Sequence, residues 1–165
     1  MLSFAAWIVA GFVGVELASY VVHRWLFHGP LWFIHQTHHL RRRGTFEWND
    51  LFSMGAGVAS LPLFWMGRAD PLNSVALPIG IGIALFGVLY FILHDLYTHR
   101  RFAPFKTDNR FAQTIRRAHQ RHHQSAEKDG LEPYGLFFVP YWRFVPPAAA
   151  VPSGDGAATE SSRPG

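Results

Sequence analysis

The sequence lacks cysteine altogether and has few charged residues. Without a thiol among its 165 residues, the chain cannot build a disulfide framework, thiolate-ligated zinc, an iron–sulfur cluster or P450-type haem. Any bound metal must therefore be held by His, Asp or Glu. Charged residues make up 16% of the chain and hydrophobic residues 49%, and this balance favours a membrane protein over a soluble domain. The length allows one domain and no separate module for a redox cofactor.

The basic residues are gathered beside apolar stretches, in segments 41–43, 100–110 and 116–121. The formal net charge is +4, and the Lys and Arg residues behind it are unevenly placed along the chain. Because each basic segment directly adjoins an apolar one, anionic lipid headgroups are its nearer partner. We therefore expect a lipid bilayer as partner and no nucleic acid.

Three apolar runs predict helices that cross a hydrocarbon core about 30 Å thick. They cover residues 2–22, 51–67 and 72–93, and the turn-like segment 68–71 makes the last two a helical hairpin. Most arginines fall on one side of this scheme, which the positive-inside rule assigns to the cytoplasm, with the N-terminus outside. Segment 134–145 is apolar but too short to span.

The predicted fold is an all-α integral membrane protein of the cell (inner) membrane, with three to four transmembrane helices and a cytoplasmic-side histidine-rich helical cap. Segment 109–126 is predicted to form a polar helix on the cytoplasmic side. Residues 1–145 are predicted to form the membrane-embedded domain. Residues 146–165 are rich in Ala, Pro, Ser, Gly and Thr. They cannot bury enough apolar surface to offset the entropy of ordering, which predicts a disordered C-terminal tail.

All ten histidines fall into four short motifs that form two matched pairs, each an HxxxxH followed by an HxxHH. In chain order they are His23, His28, His35, His38, His39, His94, His99, His119, His122 and His123. Helical residues i, i+3 and i+4 share a face, so each HxxHH can point three imidazoles the same way and form a half-site. The i, i+5 spacing turns about 140° on an α-helix, so a break or a widened turn must intervene in each HxxxxH.

The number of imidazoles predicts two metal ions. Octahedral iron accepts six ligands and zinc usually four, so ten imidazoles exceed one ion but supply two ions with about five each. Imidazole suits iron, zinc, copper and nickel, and the ligand type does not choose among them. For His28 and His99, at the awkward spacing, an indirect role through water or another ligand stays open.

Neutral ligands around two cations leave positive charge uncompensated, so carboxylates are expected beside the ligands. The candidates are Glu16 within the first span, Asp95 beside His94, and Glu47 and Asp50 before the second span. An acid inside a membrane span is a functional hypothesis by default, with a protonated packing role as the alternative. For the other three, solvated or helix-capping roles are an equal alternative.

With these motifs the sequence resembles the eight-histidine-motif fatty acid hydroxylase superfamily, and within it the short bacterial carotenoid β-ring hydroxylases. The resemblance covers roughly residues 10–145 and includes Glu16 and the segments 44–50, 89–95 and 134–140. The histidine pattern alone indicates only the superfamily, which also contains desaturases and sterol oxidases. The intervening segments and the short length favour the carotenoid enzymes.

The resemblance implies O2-dependent hydroxylation of the β-ionone rings of β-carotene at C3 and C3′, through β-cryptoxanthin to zeaxanthin. It also implies two iron ions held by the ten histidines and an external electron donor such as ferredoxin. A carotenoid is about as long as a bilayer is thick, so its ring can reach a cytoplasmic-side metal pair while the polyene stays in lipid. Candidate lining residues are Phe27, Trp32, Phe33, Tyr90 and Tyr97, with packing or an aromatic interfacial belt as the alternative.

Two rival functions remain at the level of the sequence. One is a hydroxylase or desaturase of fatty acyl, sphingoid or sterol lipids with the same metal site and a different pocket. The other is a membrane zinc-binding or metal-transport protein, which would place histidines within the spans, whereas these lie at predicted cytoplasmic ends. Iron with O2-dependent turnover would indicate an enzyme, and tight zinc without redox chemistry would indicate a binding protein.

Overall fold

The computed structural model describes residues 3–40 and 46–146, apart from the side chains of Phe52 and Ser53. The predicted basic segment 41–43, the first part of segment 44–50 and the predicted tail after Pro146 lie outside the described residues. Within the described ranges the regular secondary structure is helical, as predicted. The α-helices are α1 (Phe4–Val21), α2 (Trp32–His39), α3 (Asp50–Ser53), α4 (Gly55–Gly67), α5 (Ala76–Tyr90), α6 (Arg110–His122) and α7 (Tyr141–Phe144). Two π-helices, π1 (Val22–Phe27) and π2 (Phe91–Thr98), continue α1 and α5.

Of the helices that the structure describes, two are long and apolar enough to cross a membrane. They are α1 with π1, 24 residues, and α5 with π2, 23 residues. Only 11% and 22% of their most apolar windows are buried within the protein, so most of this apolar surface faces outward, as it does on helices in contact with lipid. The predicted second span is shorter and interrupted, because α3 ends at Ser53 and α4 has 13 residues.

Helices α1 and α5 approach closely through small residues. A Cβ added at Gly11 would collide with the carbonyl oxygen of Ile79, and one at Gly82 would collide with that of Ile8. Such contacts are typical of membrane helices, where small residues let backbones pack together. Phe12 then meets Phe86 edge-on at 5.6 Å between ring centroids. The packing brings π1 and π2 to the same end of the helix pair.

The predicted hairpin between the second and third apolar runs is present, but α5 begins later than expected. The Asp70 side chain accepts a hydrogen bond from the Asn73 amide at 3.3 Å, and the Asp70 carbonyl accepts one from the Ser74 amide at 2.9 Å. These bonds hold the turn until Ser74, so the helix starts at Ala76. The predicted polar helix is also present as α6, with Asn109 as its N-cap.

The protein core joins α5, α6 and the segment that follows α6. Its buried members are Phe86, Ile115, Leu136 and Phe137. Leu136 and Phe137 belong to residues 125–138, which have no regular secondary structure and are called the strap below. The apolar segment 134–145 therefore begins in this core, and its regular structure is limited to α7.

Candidate metal centre

The two HxxxxH motifs form the π-helices. The amide of His28 donates to the carbonyl of His23 at 3.0 Å, and the amide of His99 donates to that of His94 at 2.9 Å. These i to i+5 bonds define a π-helix, a rare conformation that is frequent at functional sites. The predicted widened turn is thus confirmed in both motifs. It directs both histidines of each motif toward the same end of the protein.

The histidines gather into two groups whose potential ligand nitrogens all lie within 4.8 Å of one another. The first cluster is His23, His28, His35, His39 and His122. The second cluster is His38, His99, His119 and His123. His94 adjoins the second cluster, since its Nε2 is 3.2 Å from Nε2 of His38.

Each HxxHH motif divides its imidazoles between the clusters. His35 and His39 serve the first cluster while His38, between them, serves the second. Likewise His119 and His123 belong to the second cluster and His122 to the first. The expectation that each HxxHH forms one half-site is therefore wrong. Residues i and i+4 project together, whereas the i+3 side chain points far enough around the helix to reach the other group.

Several Nε2 atoms face each other at distances that suit a shared ion. The Nε2 to Nε2 separation is 2.9 Å for His23 and His35, 3.2 Å for His28 and His122, and 2.8 Å for His99 and His119. Two nitrogens at right angles around one ion, each about 2.1 Å from it, are about 3 Å apart. The donor set therefore fits one ion in each cluster.

The opposite ring nitrogens show which tautomer these histidines adopt. In the first cluster, Nδ1 of His23 donates to the carbonyl of Tyr134 at 2.7 Å, and Nδ1 of His28 donates to that of Lys128 at 2.8 Å. A carbonyl only accepts, so Nδ1 carries the proton and Nε2 presents a lone pair. Lone pairs that converge without a proton between them need a cation.

Burial keeps the imidazoles neutral, which metal binding requires. Desolvation lowers the pKa to about 3 for His35 and His122 and to about 4 for His39. It also lowers the pKa of His38 and His119 well below 6.5, and neighbouring imidazoles add to this effect. At neutral pH these side chains are therefore uncharged and able to bind a metal ion.

The second cluster is supported by carboxylates. Glu47 accepts a hydrogen bond from Nδ1 of His38 at 3.1 Å. Asp95 lies 3.5 Å from Nδ1 of His94, and its other contact is Arg101, whose Nη1 is 2.9 Å away. Two of the four predicted carboxylates thus lie beside imidazoles: Glu47 beside His38 of the second cluster, and Asp95 beside the adjoining His94. Their negative charge opposes the charge of a bound cation.

Arg101 connects a third predicted carboxylate, Asp50, to this network. Its guanidinium binds both oxygens of Asp50 at 2.5 Å, in addition to Asp95. The side chain is 2% exposed, and its neighbours Arg100 and Phe102 have φ angles of 54° and 50°. Positive φ is strained for such residues and is often found at functional sites. Arg101 therefore joins Asp50 to Asp95, which lies beside His94.

Glu16 contacts the strap rather than an imidazole in the described part of the chain. Its Oε1 accepts hydrogen bonds from the amides of Leu136, Phe137 and Phe138 at 2.8–3.0 Å. The side chain is 1% exposed although it lies in α1. The carboxylate that was expected beside the ligands thus bonds to the strap through Oε1, and its part in the metal site stays a prediction.

An apolar cavity leads to the histidines. It measures about 250 Å³, lies between α1, α4 and α5, and includes Gly55, Ala56 and Ala59 in its wall. A smaller cavity of about 30 Å³ adjoins it and is bounded by histidines of both clusters. The two cavities share four lining residues: Ser19, Phe27, Asn49 and Tyr90. These residues form a neck between the apolar space and the metal centre.

The predicted aromatic lining residues take different positions. Phe27 stacks on His35 at 5.2 Å and Tyr90 stacks on His94 at 4.4 Å, both in the neck. Trp32 packs against His28 at 5.1 Å, behind the first cluster. Phe33 is 64% exposed, and Tyr97 is buried against Phe105. Two of the five therefore line the route to the histidines.

The family model for fatty acid hydroxylases matches residues 8–144. The chain belongs to this family. The same range holds both π-helices, both clusters and the strap. No solved structure matches the chain.

Relatives of this hydroxylase-family chain include bacterial and plant proteins. It is 35% identical over 136 residues to the β-carotene hydroxylase of Paracoccus sp. (strain N81106 / MBIC 01143), covering 81% of this chain and 82% of the relative. Identity to that of Pantoea ananas is 33% over 132 residues, covering 78% and 73%. Chloroplastic β-carotene hydroxylase 1 of Capsicum annuum is 37% identical over 131 residues, 78% of this chain but only 41% of the relative. The resemblance to bacterial β-carotene hydroxylases is confirmed.

Three features of the site were not predicted from the sequence. Asn49 accepts the Nδ1 hydrogen of His35 at 2.8 Å, Arg101 bridges two carboxylates, and main-chain carbonyls of the strap orient most of the first cluster. Asn49 lies between Glu47 and Asp50, two of the predicted supporting carboxylates. This position could have identified it as a further partner of a histidine. Main-chain carbonyls leave no trace in a sequence.

Proposed function

We propose that this hydroxylase inserts oxygen into the β-ionone rings of carotenoids at C3 and C3′, converting β-carotene through β-cryptoxanthin to zeaxanthin. The observation that carries the proposal is the apolar cavity whose neck opens between the two histidine clusters. The β-carotene hydroxylases among its relatives supply the substrate class. The reaction consumes one O2, two electrons and two protons for each hydroxyl group, and releases one water.

Iron is the proposed metal, with one ion in each cluster. Two ferrous ions would supply electrons to activate O2 for attack on an unactivated C–H bond. The protein orients the ligand nitrogens through the hydrogen bonds at Nδ1, and such partners tune both ligand basicity and ring position. His94 lies beside the second cluster and would complete its ligand set.

The cavity suits one end of a long apolar molecule. At about 250 Å³ it is smaller than the ~300–1,000 Å³ typical of sites that enclose a whole drug-sized ligand. The ring would occupy the cavity, and the polyene would extend into lipid. Phe27 and Tyr90 would hold the ring at the neck and exclude water from the reacting carbon, since both rings already stack on histidines.

The membrane arrangement is part of the proposal. Helices α1 and α5, with α4 as a third and shorter span, would hold the chain in the inner membrane within a domain of residues 1–145. The clusters would lie on the cytoplasmic side and the N-terminus outside. A cleft of about 210 Å³ beside the second cluster, lined in part by Thr98, His99 and Gln120, would face a reductant such as ferredoxin and admit protons.

The test is production of the full chain in a bacterium that accumulates β-carotene, beside His38→Ala and His122→Ala variants that remove one ligand from each cluster. We expect mono- and dihydroxylated pigments, identified by chromatography and mass, from the intact chain alone. Unchanged β-carotene despite membrane-inserted, iron-loaded protein would contradict the carotenoid assignment. It would favour a fatty acyl, sphingoid or sterol lipid as substrate for the same metal site.

A further inference from the structure

The first cluster is oriented by the strap at regular intervals. Carbonyl oxygens of every third residue accept hydrogen bonds from Nδ1 atoms of this cluster. The bonds join His39 to Ser125 (3.0 Å), His28 to Lys128 (2.8 Å), His122 to Leu131 (2.6 Å) and His23 to Tyr134 (2.7 Å). The strap thus orients four of the five imidazoles, and the fifth, His35, is bonded to Asn49.

The strap depends on distant contacts for its position, because it has no helix or strand of its own. Its firmest tether is Glu16, which accepts three consecutive amides from a position 120–122 residues away in the chain. A weaker tether joins the Tyr20 hydroxyl to exposed Glu132 at 3.0 Å. Loss of Glu16 would leave three amides without their acceptor, and those of Leu136 and Phe137 are buried, a cost that favours displacement of the strap.

We propose that Glu16 is a positioning residue for the first cluster alone. It fixes the strap, and the strap carbonyls fix the imidazoles. The second cluster has a separate support in Glu47 and in the network of Asp95 and Arg101. This inference rests on the proposed metal centre and adds that the two ions depend on different parts of the fold.

The conservative variant separates positioning from charge. Glu16 Oε2 is buried and has no hydrogen-bond partner among the described residues, so the amide nitrogen of Gln can replace it. Gln retains the accepting oxygen that binds the three amides. Leu retains the approximate size but accepts no hydrogen bond. Glu16→Gln should therefore preserve the first cluster, and Glu16→Leu should not.

A second variant disturbs the same contact from the strap. A Cβ added at Gly135 would lie 2.9 Å from Oε1 of Glu16 and 3.3 Å from the carbonyl oxygen of Phe138. Gly135→Ala leaves the carboxylate intact and is the smaller change, so it tests the inference if Glu16→Leu fails to fold. Leu17→Ala, at a neighbouring position that is 55% exposed, is the matched control.

The experiment measures the loss of Fe(II) from detergent-purified, full-length protein to a chelator. Loss from two sites should give two phases, and the variants His122→Ala and His99→Ala identify which phase belongs to which cluster. Glu16→Leu and Gly135→Ala should accelerate the first-cluster phase about 10- to 100-fold, the usual effect of removing a partner of metal ligands. Glu16→Gln and Leu17→Ala should match the unmodified chain.

The outcomes distinguish this inference from the proposed function. Two iron phases that Glu16→Leu and Gly135→Ala leave unchanged, or accelerate equally, would overturn the role of Glu16 and leave the metal centre standing. An unmodified chain that holds no iron would overturn both. Failure of Glu16→Gln to preserve the first phase would show that the charge, not the bonds to the strap, is what matters.

Discussion

At the scale of single residues, the histidines are held by partners that come from distant parts of the chain. Gly130 shows how close this support lies. Its φ angle is 62°, and a Cβ there would lie 2.7 Å from ring atoms of His28. A left-handed φ and this close approach both favour glycine. Glycine at this position therefore lets the strap approach the first cluster this closely.

Gly130→Ala should push the strap away from His28. We expect iron to leave the first cluster about 10-fold faster, because the bond from His28 to the Lys128 carbonyl is lost. Chelator-dependent iron release is the measurement. Gly57→Ala is the control, since no atom lies within 4 Å of a Cβ added there. Equal release from both variants would argue against a role for the close approach.

Arg101 makes a second residue-scale prediction. Arg101→Leu would leave Asp50 and Asp95 without their cation, and breaking a buried ion pair in this way costs about 3–5 kcal/mol. We expect Arg101→Leu to have a clearly lower thermal unfolding midpoint in detergent. The midpoint of Arg101→Lys should lie between those of Arg101→Leu and the unmodified chain. An unchanged midpoint for Arg101→Leu would show that the three side chains do not depend on one another.

At the scale of elements, the π-helices determine where the histidines of each HxxxxH motif point. Deleting Leu26 would shorten the spacing of His23 and His28 to i, i+4 and favour an α-helix in place of π1. We expect this deletion to lose iron from the first cluster, because His28 and all that follows would shift in register. Iron content per chain is the measurement.

Leu26→Ala is the control for the deletion, since the side chain is 42% exposed and the spacing of the histidines is unchanged. Full iron content in the deletion variant would contradict the requirement for a π-helix.

The apolar cavity between α1, α4 and α5 gives a prediction about substrate. Ala59→Phe would fill part of the space that leads to the neck. We expect carotenoid hydroxylation in β-carotene-accumulating cells to fall at least tenfold while iron content stays the same. The neighbouring Val58 is 62% exposed, so Val58→Phe should leave turnover unchanged. Equal activity of the two variants would place the substrate elsewhere.

The elements themselves could be predicted because their signals are local. Runs of apolar residues give α1, α4 and α5 to within a few residues, and the i, i+5 spacing gives the widened turns. The break between α3 and α4 could not be predicted in the same way. Asp50 in α3 is held by Arg101, 51 positions away, and the sequence does not show which distant residues meet.

The same limit explains what was missed at the site. Spacing singled out the histidines that the fold brings together, and their number predicted two ions. The division into clusters depends on pairs such as His28 and His122, 94 residues apart. The strap depends on main-chain carbonyls, which every residue has, and on Glu16, whose partners are amides. Patterns of side chains therefore predicted the histidines and the nearby carboxylates, but not the main-chain supports.

At the scale of the whole molecule, the buried histidines make the metal-free fold sensitive to acid. The pKa values of His35 and His122 are lowered by burial to about 3, whereas the unfolded chain binds these protons near pH 6.5. Between these values the unfolded state holds more protons, so the free energy of unfolding decreases as the pH falls. Above pH 6.5 these groups are neutral in both states and add no pH dependence.

We therefore expect the unfolding midpoint of chelator-treated protein to fall steeply as the pH is lowered from about 6.5 toward 4. Circular dichroism at several pH values is the measurement. The iron-loaded protein should resist acid to a lower pH, because bound metal competes with protons for the same nitrogens. Equal acid sensitivity with and without iron would contradict metal binding by these histidines.

The proposed metal centre requires two ions that draw ligands from both halves of the chain. Mössbauer spectroscopy of full-length protein loaded with ⁵⁷Fe, together with iron counts, tests this most directly. We expect two irons per chain in distinct environments. His122→Ala and His38→Ala should each lower the occupancy of a different iron, although each histidine lies in the opposite half of the chain from most of its cluster. One iron per chain, or the same iron weakened by both variants, would contradict it.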